Sequence, residues 1–141
     1  MDWKMGMYEL EEAASDFREL IIRTPKNSLP TALQDFPHGA CGDVTLLLGH
    51  YLTERGHGEF RYYLGWRDGR SHAWLQAGAL IIDITADQFD DFDDPVFVSD
   101  HSPWHEGFAG TDQHAANLNV FGEPTTSTLQ SIYGAILASA T

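Results

Sequence analysis

SHAWLQAGALIIDITADQF, residues 71–89, is the stretch on which the reading turns. It holds two apolar runs with the period of strands, "SHAWLQ" (71–76) and "ALIIDIT" (79–85), joined at Ala77-Gly78. Taken as a hairpin with a two-residue loop at Ala77-Gly78, Gln76 faces Ala79, Trp74 faces Ile81 and His72 faces Asp83. Directly opposed side chains on one face lie about 5 Å apart at Cβ, within hydrogen-bonding reach for an imidazole and a carboxylate. This register asks Ala77 to accept positive φ, which alanine resists. A slip of one residue would send His72 and Asp83 to opposite faces. A charged carboxylate inside an apolar strand needs a partner, and His72 is the partner the register offers.

A carboxylate behind a histidine fixes its tautomer and stabilises its imidazolium. Such a pair needs a nucleophile in front of it. The one cysteine of the chain, Cys41, lies in "PHGACGDVTLLL" (37–48), where a helix-period apolar run begins. A thiol at a helix N-terminus has its thiolate stabilised by the helix dipole and by free N–H groups. Gly39 and Gly42 beside it let backbone and substrate approach closely. A single cysteine also rules out an internal disulfide and a Cys-based zinc site.

Outward from these stretches the chain reads as helices, then strands, then a helix. Residues 8–23 form an amphipathic helix, with Leu10, Ala13, Ala14, Phe17, Leu20 and Ile21 on one face, acidic residues at its start and Arg23 at its end. Residues 24–40 read as irregular chain. A second helix runs from about Asp43 to Glu54, with Val44, Leu47, Leu48, Tyr51 and Leu52 inward and Gly56 as its cap. "EFRYYLGW" (59–66) is a strand, "RDGR" (67–70) a hairpin turn, and "PVFVS" (95–99) a fourth strand. Residues 100–124 read as loop. "TTSTLQSIYGAILAS" (125–139) closes the chain as a helix with a Thr or Ser cap, its inward stripe Leu129, Ile132, Tyr133, Ile136 and Leu137. The order implies one α+β domain over 1–141, N-terminal helices packed on an antiparallel sheet.

The 141 residues carry a formal charge of −13, from 21 acidic and 8 basic residues. So acidic a surface repels phosphate backbones and anionic membranes, so neither nucleic acid nor membrane is expected as a partner. "DQFDDFDDP" (87–95) holds five of the aspartates and reads as a solvated loop without the spacing of a calcium site. No secretory leader is expected from "MDWKMGMYELEE", and no run of about 20 apolar residues occurs in the sequence. A soluble, cytoplasmic, bacterial protein is the expectation, with export by a specialised system left open.

A cysteine opening a helix, a strand beginning "HAW" and a following "IIDITADQF" resemble the papain-like, transglutaminase-like superfamily over about residues 36–100. The "HAW" and "IID-T" elements are similar to its transglutaminase-like branch, which includes small bacterial peptidases that mature lasso peptides. The resemblance implies Cys41 as nucleophile, His72 as general base and acid, and Asp83 as the orienting residue. Two positions depart from the pattern: Ile84 stands where proline is common, and Ala-Gly where Asp-Gly is usual.

The implied activity is cysteine-dependent acyl transfer without a cofactor or metal, hydrolysing a peptide or amide bond through a thioester. The same chemistry on a glutamine side chain gives deamidation or cross-linking, as in papain-fold bacterial toxins. A third alternative is an acidic, non-enzymatic immunity or adaptor protein on the same fold. The partner expected is a peptide or protein substrate, in a toxin or peptide-maturation system. For the oxyanion hole, the Cys41 N–H is one donor and Gln34 a loose match for a second. "DHSPWHEGFAGTDQH" (100–114) contains His101, His105 and His114. Ser102-Pro103 interrupts the H-x₃-H pair, so the segment reads as an ordered or lid-like loop and no metal site is assigned.

Overall fold

The computed structural model describes residues 3–140. Five α-helices and one antiparallel five-stranded sheet make an α+β fold. In chain order these are α1 (Trp3–Arg23), α2 (Thr31–Gln34), α3 (Cys41–Glu54), β1 (Arg61–Arg67), β2 (Arg70–Ala77), β3 (Leu80–Asp83), β4 (Phe97–Ser99), α4 (Pro103–Glu106), β5 (Thr111–Ala115) and α5 (Thr125–Ala138). The strands lie in the order β4-β3-β2-β1-β5.

The long helices form where apolar residues recur at helical spacing. On α1 the stripe Leu10, Ala13, Ala14, Phe17, Leu20 and Ile21 is buried throughout, as the pattern requires. The helix begins earlier than its periodicity indicates, so Glu9, Glu11 and Glu12 lie in its body and its first turn holds no acid. On α3, Gly56 takes φ +83°, His57 N–H donates to Leu52 O and Gly56 N–H to Thr53 O, both at 3.0 Å. Those two bonds end α3 as a Schellman motif. α5 packs Leu129, Ile132, Tyr133 and Ile136 inward. Its N-cap is Pro124, not Thr or Ser.

Each central strand feeds two cores, as alternation demands. Leu75 of β2 and Ile82 of β3 enter the large core beneath α1, α3 and α5. Trp74 and Ile81 enter a smaller one on the other face, with Phe89 and Phe108. His72 and Asp83 fall on this second face by parity.

The β2–β3 register differs from the sequence expectation by one turn position. Ala77 pairs with Leu80, Gln76 with Ile81 and Leu75 with Ile82. The loop is therefore Gly78-Ala79, and Gly78 carries φ +61°. Glycine thus takes the position that needs positive φ, as a type II′ turn prefers, and Ala79 is spared it. Extending the ladder sets Trp74 opposite Asp83. His72 becomes a diagonal neighbour of Asp83 on the same face rather than its direct partner. The Asp68-Gly69 turn behaves as read, with φ +51° and +78° between paired Arg67 and Arg70.

Residues 100–124 are not all loop. α4 and β5 both fall there, and β5 pairs with β1 to close the far edge of the sheet. Its residues Thr111–Ala115 are exposed or half-buried, so they carry no period-two apolar signal. The segment 24–40 likewise contains a 3₁₀ turn, Lys26–Ser28, and the short α2.

Candidate active site

Cys41 is the first residue of α3, behind Ala40 as N-cap, and the Cys41 side chain is half-buried. The β2–β3 ladder ends at Leu75–Ile82, so the β3-facing edge of β2 from Arg70 to Ala73 has no strand partner, while its other edge pairs with β1. The tip of α3 meets β2 at that opening, where the Ala73 N–H and the His72 ring act on the sulfur. Burial pushes the Cys41 thiol pKa up. Hydrogen bonding to His72, the positive charge of His72 and the Ala73 N–H outweigh burial and leave it below the ordinary value.

His72 is completely buried. Its Nε2 lies 2.6 Å from Asp83 Oδ2. Nδ1 has no partner at formed hydrogen-bond geometry, leaving it as the ring nitrogen for the thiol. The sulfur acts on the ring without a hydrogen bond of formed geometry. The Trp74, Phe89, Trp104 and Phe108 rings stand 5.1–5.8 Å from the imidazole centroid. Desolvation by these rings lowers the His72 pKa, but Asp83 overrides it and raises it to about 9. The imidazolium in turn holds Asp83 below the usual carboxylate range, against its own burial.

Asp83 is met from two sides. His105 Nε2 lies 2.7 Å from the same Oδ2, and Asp83 Oδ1 accepts from Thr85 N–H at 2.9 Å. Ser102 caps α4, its Oγ accepting from His105 N–H and lying 2.6 Å from His105 Nδ1. A Ser102 hydroxyl donating to Nδ1 leaves the His105 Nε2–H to donate to Asp83. Apart from His72 Nδ1, every polar atom of this buried chain has a partner.

His72, Asp83 and His105 are also the one cluster of potential metal ligands among the described residues. Two ligands of a tetrahedral zinc at about 2.05 Å stand about 3.3 Å apart. Both N···O contacts here are 2.6–2.7 Å, the length of charge-assisted hydrogen bonds. The arrangement therefore suits a carboxylate accepting from two rings.

The structure brings Cys41, His72 and Asp83 together, and adds His105, which the sequence reading left in a loop. Ser102-Pro103 does not interrupt a helix there; it starts α4, serine as N-cap and proline at the first helical position. That Ser-Pro signal could have placed His105 on a helix. His101, the other half of the H-x₃-H pair, is exposed in the irregular chain just before α4. Gln34 is exposed and its amide N–H donates to Leu29 O, so it is not poised as an oxyanion donor. Gln88, from the "TADQF" motif, holds the approach to Cys41 by accepting from Gly39 N–H at 3.3 Å. The acidic loop is only partly solvated: Asp87 pairs with Arg18 and Asp91 with Arg67, while Phe89 is buried against His72.

Compared with protein families, curated proteins and solved structures, the chain matches none.

Proposed function

We propose that the protein is a cysteine-dependent acyl-transfer enzyme of papain-like, transglutaminase-like type. One observation carries the reading. A fully buried imidazole is gripped by a carboxylate at 2.6 Å through one nitrogen, and its other nitrogen is left for a thiol whose pKa is lowered. A structural histidine would have both nitrogens satisfied.

The Cys41 thiolate attacks an amide carbonyl carbon, and the π pair moves onto oxygen. Collapse of that intermediate expels the amine, which takes its proton from the His72 imidazolium and leaves a thioester. His72 then deprotonates water, which attacks the thioester and restores the thiol. Asp83 keeps the ring oriented and stabilises its charged form, while His105 holds Asp83. Peptide or amide hydrolysis is the reaction favoured, with a peptide or protein as substrate. Glutamine deamidation would use the same steps.

Iodoacetamide labelling near pH 6 tests the thiol, since only a stabilised thiolate reacts well there. Cys41 should be alkylated far faster than free cysteine, and His72→Ala should remove the advantage. An unchanged rate in His72→Ala would sink the pairing. Mass spectrometry of a glutamine-containing protein after incubation separates chain cleavage from deamidation and from an amine adduct.

A further inference from the structure

Acyl transfer at Cys41 needs hydrogen-bond donors for the oxygen of the tetrahedral intermediate, and the Cys41 N–H supplies one. On the β1 side of the helix tip stands a group with no assigned task. Tyr62, the second residue of β1, brings its phenol to the first turn of α3. A Cβ on Gly42 would lie 3.3 Å from Tyr62 Oη, and outside its own turn of helix no other group comes within 4 Å of that point. The tyrosine ring is braced by His114 of β5, stacked at a centroid distance of 4.8 Å. Tyr62 Oη has no hydrogen-bond partner among the described residues. Burial, then the negative charges of Cys41 and Asp43, push the phenol up to about 12. It remains an O–H donor wherever the thiolate exists.

We infer that Tyr62 Oη is the second donor of the oxyanion hole, facing the Cys41 N–H across the space that Gly42 leaves open. The inference rests on the Cys41-His72-Asp83 reading and adds a residue that touches the reacting oxygen. As sulfur bonds to the carbonyl carbon, the displaced π pair forms an oxyanion that accepts from Tyr62 O–H and Cys41 N–H. When the carbonyl reforms and the leaving group departs, both bonds relax and neither donor gives up its proton.

Two probes of the full chain separate this role from activation of the thiol. p-Nitrophenyl acetate acylates a thiol through a tetrahedral oxyanion and releases p-nitrophenolate, whereas iodoacetamide alkylates by displacement at a saturated carbon with no oxyanion. Tyr62→Phe keeps the ring against His114 and should slow the p-nitrophenolate burst by about 10²–10³-fold, the usual cost of one oxyanion donor. Its iodoacetamide rate should equal that of the unaltered protein. A burst as fast as the parent's, or an equal loss in both reactions, overturns the assignment. Failure of the underlying reading looks different. The parent thiol would then alkylate no faster than free cysteine, or the burst would persist in Cys41→Ala, and the role of Tyr62 would fall with it.

Discussion

At the scale of single residues, the site is a line of charge and hydrogen bonds in which each group fixes the protonation of the next. Asp83 raises His72, and His72 lowers Cys41. The consequence for stability can be isolated in Cys41→Ala, where the thiolate no longer contributes. The folded pKa of His72 exceeds its unfolded value of about 6.5. Its stabilising term is fully present below that value and disappears as pH rises through the folded pKa, which Asp83 still raises in Cys41→Ala but which loses the Cys41 contribution to its value of about 9 in the unaltered protein. Asp83 is depressed, so its term is present above the unfolded carboxylate pKa and declines as pH falls toward the lower folded one. Urea unfolding of Cys41→Ala should therefore show greatest stability from about pH 4.5 to 6.5 and a decline on the alkaline side. A second change, His72→Gln, should flatten the alkaline slope. A slope that persists in the double variant would assign the effect to another group.

These residue roles were unequally legible. Cys41, His72 and Asp83 stand out because a helix start, a strand alternation and a buried acid each demand an explanation. The turn did not. The Ala77-Gly78 reading treated the loop as type I′, yet Gly78 at φ +61° with Ala79 after it satisfies a type II′ loop. The shift moves the direct partner of Asp83 from His72 to Trp74 but preserves the face, because side-chain parity survives a change of two in register. His72 reaches Asp83 diagonally, and hydrogen bonding at 2.6 Å absorbs the offset. Tyr62 carries no signal of its own in sequence, since the role proposed for it depends on the packing of β1 beneath α3.

Elements show where local chemistry decides geometry. Gly78→Ala should cost about 1–2 kcal/mol, because an L side chain at this positive φ is strained. Ala79→Gly should cost less, through added freedom of the unfolded chain alone. Chemical denaturation of both variants checks the order; the reverse order would count against positive φ at Gly78. β5 escaped the sequence because an edge strand with exposed and half-buried residues has no core face to impose alternation. Gly65 of β1 explains how the α4–β5 segment seats on the sheet. A Cβ there would stand 2.4 Å from Phe108 O, so only glycine lets that backbone approach and donate Trp66 N–H to Phe108 O at 2.8 Å. Phe108 is thereby held against the His72 ring.

For the whole molecule, one side chain ties the helical layer to the loop behind the site. Arg18 of α1 donates to Ile84 O, to Pro95 O at 3.2 Å and to both carboxylate oxygens of Asp87, at 3.1 and 2.9 Å. Phe36 stacks under the guanidinium at 5.0 Å. Charge-assisted hydrogen bonds of this kind contribute about 1.5–3 kcal/mol each when removed singly. Arg18→Met should lower unfolding stability by about 2–4 kcal/mol. Arg18→Lys should recover little of it, because an ammonium cannot span three separate acceptors. A loss within about 0.5 kcal/mol would make the clamp an ordinary surface contact. Among the described residues, no helix is long and apolar enough to cross a membrane.

In the proposed mechanism, the complete enclosure of His72 would also set the order of events. Nε2 is occupied by Asp83, and aromatic rings crowd the imidazole, so proton traffic has a single doorway, past the sulfur. In the proposed acyl-transfer mechanism, the first product would have to vacate that doorway before the next nucleophile could be deprotonated. The two proposed half-reactions would then alternate, giving double-displacement kinetics from the burial of one ring.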